Sequence, residues 1–180
     1  MVESPLLELK DLCTYFPIRK GIIKRKVGEI KAVDNISLSV RRGETYGLVG
    51  ESGCGKSTLG RSVLRLIEPT SGEIFFDGNA ISDCSDADMR ALRKKMQIVF
   101  QDPYASLNPR MTIGDIVTDP FRIPEPLLSA EERRRRATQT LQIVGIDKEA
   151  LSRYPHEFSG GQRQRISIAR VLVLNPEFIF

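Results

Sequence analysis

Nine consecutive residues, 50–58, have the types and the spacing that bind phosphate. They read Gly-Glu-Ser-Gly-Cys-Gly-Lys-Ser-Thr and fit the pattern G-x-x-x-x-G-K-[ST]. Glycines let such a loop turn its backbone N–H groups toward a phosphate. Lys56 is placed to reach the β- and γ-phosphates of a nucleotide, and the Ser57 hydroxyl to ligate Mg²⁺. The pattern predicts a nucleotide-binding loop, with a glycine-rich turn as the alternative; its residues are Gly50, Glu51, Ser52, Gly53, Cys54, Gly55, Lys56, Ser57 and Thr58.

Cys54 within this loop has two interpretations. It can be a reactive thiol at a helix N-terminus, or a small residue that fills the loop. We favour the filler.

A second segment, Phe158-Ser159-Gly160-Gly161-Gln162, opens a predicted helix. Ser159 can cap that helix, and its buried face is formed by Ile166, Ala169 and Val173 with Ile168 and Leu172 beside them. Gly160 and Gly161 leave the first amides bare, which makes a second site for an anion. Taken alone, this segment is a helix start that contains glycines.

The elements around the first loop follow the order that a phosphate loop needs. Glu44–Val49 predicts a buried strand that leads into the loop, and Leu59, Val63 and Leu66 repeat at helical spacing over Lys56–Ile67. Turn residues at 68–72 end that helix. Further strands are predicted at Leu6–Leu12, Ile30–Val40, Glu73–Phe76 and Met96–Phe100, and further helices at Asp86–Lys95 and Thr112–Thr118.

The region after Gln101 has a different composition, with five prolines between Asp102 and Pro126. Ser129 and Glu132 form a capping box for another helix, in which the Glu132 side chain reaches back to the Ser129 amide, and Gly145 ends it. Ala137, Leu141 and Val144 give that helix an apolar stripe. We predict a mainly helical insertion into an α/β core.

Composition limits the class of protein. The chain has 180 residues, 41% of them hydrophobic, which suits one core. Its three cysteines are an odd number without metal-type spacing, so neither a disulfide framework nor a zinc site is indicated. The sequence shows neither a secretory signal nor a long apolar run, and we expect a cytoplasmic protein.

The net charge of +4 is concentrated at Lys20–Lys31 and Arg133–Arg136. Such runs occur on surfaces that meet nucleic acid, an acidic partner or a membrane. The simpler interpretation is a solvated charged face.

The residues Phe158 to Arg165, Phe-Ser-Gly-Gly-Gln-Arg-Gln-Arg, resemble the signature motif of the ATP-binding cassette (ABC) ATPases. That motif is usually Leu-Ser-Gly-Gly-Gln, so the phenylalanine is a departure. The resemblance implies ATP and Mg²⁺ as cofactors, with ATP contacted also by Ser159, Gly160, Gly161 and Gln162. It also implies an α/β fold: a P-loop core of the ABC ATPase type with an N-terminal antiparallel β portion and a helical subdomain. The expected boundaries are residues 1–100 for the nucleotide-binding core, 101–158 for the helical subdomain and 159–180 for the signature helix and the following strand.

Two more positions carry family roles by this resemblance. Gln101 falls at the Q-loop glutamine, which contacts Mg²⁺ and senses the transmembrane subunit; with Lys56 it would be catalytic. Without the resemblance, Gln101 is an ordinary polar residue after a strand. Phe16 fits the aromatic residue that stacks on adenine, with Tyr15 as the competing choice and a plain core aromatic as the alternative.

The resemblance is narrower still to the oligopeptide and dipeptide importers, a branch that also includes nickel and sugar-oligomer importers. The matching segments are Phe16-Pro17-Ile18, the basic stretch to Gly28, Lys31-Ala32-Val33, residues 101–112 and Tyr154 to Phe158, and Asn108 to Met111 looks most like the second ATPase subunit. It implies a peripheral protein on the inner face of the cell membrane. Its partners would be transmembrane permease subunits, a homologous second ATPase subunit and, indirectly, an extracytoplasmic solute-binding protein, without direct nucleic-acid binding.

The family's strand after Asn175-Pro176 ends in an Asp and a catalytic Glu, and a switch histidine follows. This sequence continues Glu177-Phe178-Ile179-Phe180, and His156 precedes the signature, so we interpret His156 as structural. We therefore expect these 180 residues alone to be deficient in hydrolysis. The alternatives are a cassette ATPase that acts on nucleic acid and a non-hydrolysing nucleotide-binding fragment.

Overall fold

A computed structural model describes residues 4–21, 25–101 and 106–180. The chain divides into two compact units, Met1–Met89 and Arg90–Phe180. Two parts of the predicted family segments, residues 22–24 and 102–105, lie outside the described residues. The domain boundaries at 100 and 158 stay predictions.

The first unit contains an antiparallel sheet with the strand order β2-β1-β3-β4. Its strands are β1 (Leu7–Lys20), β2 (Arg25–Val40), β3 (Ser71–Phe76) and β4 (Asn79–Ala80). The predicted antiparallel β portion is confirmed, and β1 and β2 extend much further than the predicted Leu6–Leu12 and Ile30–Val40. The sequence underestimates them because the added residues include Pro17 and Gly28, which are uncommon inside strands, and basic residues at the exposed end of the hairpin, so they lack the alternation of a half-buried strand.

The prediction of a buried strand over Glu44–Val49 is wrong. This segment has no regular secondary structure, and Tyr46 and Val49 are 50% and 94% exposed. Its apolar composition indicated a core strand, but a strand also needs a neighbour for its backbone hydrogen bonds. Within the described residues no strand pairs with it.

Helix α1 spans Lys56–Val63 and ends one turn before the predicted Ile67. The backbone turns at Arg65, which has a positive φ of 47°. The Arg65 guanidinium donates to the carbonyl oxygens of Ile81 at 3.2 Å and Cys84 at 2.6 Å. These hydrogen bonds stabilise the turn in place of a further helical turn. Helix α2 follows at Asp86–Leu92.

The second unit is mainly helical, as predicted. It contains β5 (Met96–Gln97), α3 (Ile113–Thr118), α4 (Ala130–Ile143), α5 (Gly160–Leu172) and β6 (Phe178–Ile179), with 3-10 turns at Asp119–Arg122, Lys148–Ser152 and Pro155–Glu157. Strand β5 is shorter than the predicted Met96–Phe100 and pairs in parallel with β6. A core of fifteen buried residues between Leu107 and Leu174 holds the helices together.

Local signals place the ends of α4. The Ser129 hydroxyl accepts from the Glu132 amide at 3.1 Å, and Gly145 adopts the left-handed conformation with φ 70° just after the helix. The second half of the predicted capping box is wrong, because the Glu132 carboxylate accepts from Arg135 and Arg136 instead. No helix within the described residues is long and apolar enough to cross a bilayer.

Candidate functional site: a phosphate loop and a glycine-initiated helix

The phosphate loop lies against the backbone of β2. Gly55 has φ 97° and precedes α1, and a Cβ on it would overlap the carbonyl oxygen of Ala32. A Cβ on Gly50 would come 2.6 Å from the Sγ of Cys54. Gly55 therefore excludes a larger residue because backbone blocks the space, whereas a side chain on Gly50 would require the Cys54 side chain to rotate away. The sequence pattern alone gives neither reason.

Lys56 lies within the loop that it would serve. Its Nζ donates to the carbonyl oxygens of Gly50 and Glu51, both at 2.6 Å, and lies 3.4 Å from the Sγ of Cys54. A phosphate oxygen is a stronger partner for an ammonium group than a neutral carbonyl. The first amides of α1 have no partner inside their helix and carry partial positive charge. The loop thus combines glycine turns, a cation and a helix N-terminus within one short segment.

Tyr15 and Phe16 are adjacent on β1, but their surroundings differ. The Tyr15 hydroxyl donates to the Asp34 carboxylate, and the Nζ of Lys31 lies 5.0 Å from the centre of the Tyr15 ring. The Tyr15 hydrogen bond lowers the pKa of Asp34, and Lys31 lowers it further. Phe16 is 39% exposed, so its ring remains accessible. It is paired with Ile30 on β2, two residues from the carbonyl that the phosphate loop approaches.

The second motif starts α5. The Ser159 hydroxyl accepts from the Gln162 amide at 3.3 Å, and the Gln162 side chain accepts from the Ser159 amide at 3.0 Å. The predicted cap is therefore present as a full capping box. A Cβ on Gly161 would meet nothing within 4 Å, so the first turn is open to an approaching group.

Phe158, the departure from the family motif, is buried with 6% exposure. The Arg153 guanidinium lies 4.5 Å from the centre of its ring. The position needs a large apolar side chain for the core, and phenylalanine meets that need.

On the same turn, His156 stacks on Tyr154 with ring centres 5.9 Å apart, and its carbonyl accepts from Arg163.

Gln101 is exposed after a short irregular stretch that follows β5. Further along the chain, Ser106 is hydrogen-bonded to residues of α5. The hydroxyls of Ser106 and Ser167 lie 2.9 Å apart, and Arg170 donates to the Ser106 carbonyl at 2.5 Å. Sequence reasoning missed this connection. The signal for it was Ser167, a small polar residue inside an otherwise apolar helix face.

The phosphate loop and Phe16 thus belong to the first unit, and Gln101 and the α5 terminus to the second. A loop of the pattern G-x-x-x-x-G-K-[ST] that opens a helix is the phosphate-binding loop of a class of nucleotide-binding proteins. The profile described as "ABC transporter" matches residues 33–180. The chain belongs to the ABC transporter family.

Curated relatives agree with this assignment. The chain is 53% identical over 178 residues to the oligopeptide transport ATP-binding protein AppF of Bacillus subtilis, covering 98% of this chain and 54% of that protein. It is also 50% identical over 176 residues to the glutathione import ATP-binding protein GsiA of Escherichia coli, covering 98% of this chain and 28% of that protein. These relatives do not favour the alternative of a cassette that acts on nucleic acid. The chain spans about half of AppF and less of GsiA.

Solved structures confirm the fold. The dimeric ATP-binding cassette MJ0796, bound to ADP and Pi, superposes with a TM-score of 0.83 at 32% identity, covering 96% of this chain and 72% of that one. CbiO1 from Clostridium perfringens, part of the ABC transporter complex cbiONQ, gives a TM-score of 0.76 at 30% identity, covering 98% of this chain and 64% of that one. The α/β fold of the ABC ATPase type is therefore established.

Proposed function

We propose that this chain is the nucleotide-binding part of an ATPase subunit that drives peptide import through a membrane permease. The observation that carries the proposal is the phosphate loop, in which Gly55 lies against β2 and Lys56 is held beside the loop carbonyls. The similarity to AppF and GsiA supports peptides as the transported class. In this proposal the subunit works on the inner face of the membrane, paired with a second cassette.

The residues present fit MgATP. The loop amides and Lys56 would hold the β- and γ-phosphates, and Ser57 and Gln101 would ligate Mg²⁺. A bound Mg²⁺ neutralises charge on the phosphate oxygens during phosphoryl transfer. The α5 amides at Gly160 and Gly161 would bind a phosphate held by the partner subunit, which makes a pair of cassettes the working unit.

Titration calorimetry with MgATP tests the first step. We expect wild-type binding, and at least a tenfold loss on Lys56→Ala, because charge-assisted hydrogen bonds contribute roughly 1.5–3 kcal/mol each. Lys148→Ala, an exposed lysine of the second unit, is the control and should bind as wild type. Equal affinity of the wild-type and Lys56→Ala proteins would refute the site. Peptide-dependent ATPase activity of the full-length protein, reconstituted with its permease, would then test the import role.

A further inference from the structure

The β1–β2 hairpin continues beyond the sheet to which it belongs. Strand β3 pairs with β1 only from Leu7 to Cys13, whereas β2 stays paired with β1 out to Lys20 and Arg25. We call residues 17–20 and 25–30 the hairpin tip. Every residue of the tip except Gly28, which is half-buried, is exposed. A two-stranded ribbon is marginally stable in water unless another layer covers one face.

The hairpin tip exposes apolar side chains. Ile18, Val27 and Ile30 are 39%, 57% and 57% exposed. Ile18 lies opposite Gly28, and a Cβ on Gly28 would be 3.8 Å from the Ile18 Cδ1. Glycine therefore leaves Ile18 uncovered by its cross-strand partner. Val27 lies where the register shifts between Ile18 and Arg19.

Basic side chains occupy the end of the same tip. Arg19 is paired with Lys26 and Lys20 with Arg25, so like charges face each other across the ribbon. The tip has one carboxylate, Glu29, which binds Lys26 at 2.7 Å. Within the described residues, Arg19, Lys20 and Arg25 have no ion pair. Directly opposed like charges are destabilising, and an external anionic surface would relieve that cost.

We propose that the hairpin tip binds an anionic lipid surface. Basic side chains near such a surface strengthen binding about fivefold each, and aliphatic side chains enter the headgroup region. Single-stranded nucleic acid would instead need aromatic stacking side chains, and the tip has aliphatic ones. Membrane binding of this kind does not depend on nucleotide, so it stands or falls separately from the proposed ATP site.

Sedimentation with vesicles, without nucleotide and on the full-length protein, tests the proposal. The vesicles are phosphatidylcholine alone, or an equimolar mixture with phosphatidylglycerol. We expect binding to the mixture only, and a loss of roughly a hundredfold in the triple variant Arg19→Gln, Lys20→Gln, Arg25→Gln. The matched control, Arg90→Gln, Arg134→Gln, Lys148→Gln, removes three exposed charges elsewhere and should lose fivefold or less. Equal loss in both variants, unchanged binding of the tip variant or equal binding to neutral vesicles would overturn the proposal.

A fluorescent reporter measures contact directly. These 180 residues contain no tryptophan, so Val27→Trp adds one reporter to the tip and Ile143→Trp adds one to the exposed side of α4, and the emission of each variant is compared with that of the protein without the added tryptophan. On addition of the mixed vesicles, the emission of the tip reporter should shift to shorter wavelength and that of the α4 reporter should not. An RNA oligonucleotide is the competing ligand. If it binds the wild type more tightly than the vesicles do and loses the same hundredfold in the tip variant, the surface is a nucleic-acid site and the lipid proposal fails.

Discussion

Glycine is required at position 55 for two reasons, one conformational and one steric. Its φ of 97° lies in the left-handed region, and its Cα faces the Ala32 carbonyl with no room for a side chain. Gly53, in the same loop, has φ 82° but open space around it. Substitutions at the two glycines therefore allow the cost of the left-handed backbone conformation to be measured separately from the cost of steric overlap.

We predict that Gly53→Ala lowers the free energy of unfolding by about 1–2 kcal/mol, the cost of an L-residue in the left-handed region. Gly55→Ala should lower it by more, because the loop must also move away from β2. Urea unfolding of both variants measures the difference. The steric argument fails if the two variants are equally stable.

A second residue-scale prediction separates Phe16 from Tyr15. If Phe16 stacks on adenine, Phe16→Ala should weaken ATP binding by roughly fivefold or more, because base stacking on an aromatic ring contributes about 1–3 kcal/mol. Tyr15→Phe keeps its ring and removes only the hydroxyl that binds Asp34. It should bind ATP as wild type does. Titration calorimetry with ATP measures both affinities. A larger loss of affinity for Tyr15→Phe than for Phe16→Ala would assign adenine binding to Tyr15 instead.

The start of α4 contains a chain of charges. Lys94 and Arg136 bind Glu125 at 2.6 and 3.0 Å, and Arg135 and Arg136 bind Glu132 at 2.6 and 2.9 Å. Hydrogen bonds from Arg135, and then Arg136, lower the pKa of Glu132 from 4.5 to about 2. The folded protein therefore binds a proton at Glu132 less readily than the unfolded chain does.

This shift has a defined pH dependence. Because the pKa is lower in the folded state, Glu132 stabilises the protein above about pH 4.5 and loses that contribution as the pH falls toward about 2. We predict that Glu132→Gln reduces the loss of stability across this window, measured by urea unfolding at several pH values. Glu131→Gln, the exposed neighbour, is the control and should follow the wild-type curve. If the stability of Glu132→Gln depended on pH in the same way as that of the wild type, the lowered pKa would not belong to Glu132.

Elements with local signals could be predicted from the sequence. The Ser129 and Ser159 caps and the left-handed Gly145 depend on residues within one helical turn. The lack of a strand at Glu44–Val49 could not be predicted in this way, because a strand depends on its neighbours in the sheet as well as on its own composition. The same holds for the site: the phosphate loop is a local pattern, whereas its contact with Ala32 joins residues far apart in the chain.

At the scale of the whole molecule, the core of the second unit joins the apolar faces that helical spacing predicted for α4 and α5. It combines residues from α3, α4, α5 and the turns between them, including Phe121, Leu141 and Ile166 with no exposure. Stability of this unit should therefore depend on single buried positions and little on exposed apolar ones.

Two aliphatic residues on α4 test that expectation. Leu141 is fully buried and Ile143, two positions later, is 76% exposed. We predict that Leu141→Ala lowers the free energy of unfolding by about 2–5 kcal/mol, from lost burial and a cavity. Ile143→Ala should change it by roughly 0.5 kcal/mol or less. Thermal and urea denaturation measure both, and similar losses would mean that the α4 packing is assigned incorrectly.

The position of β1 between β2 and β3 has a consequence for the order of folding. Its partner β2 follows at once, so the hairpin can form as soon as residue 40 has left the ribosome. Its partner β3 begins only at Ser71, so that pairing must close a long loop containing the phosphate loop and α1. Non-local pairing of this kind is slow compared with hairpin formation. The nucleotide loop therefore gains its fixed surroundings only after β3 has been synthesised, later than β2, the strand against which the loop lies.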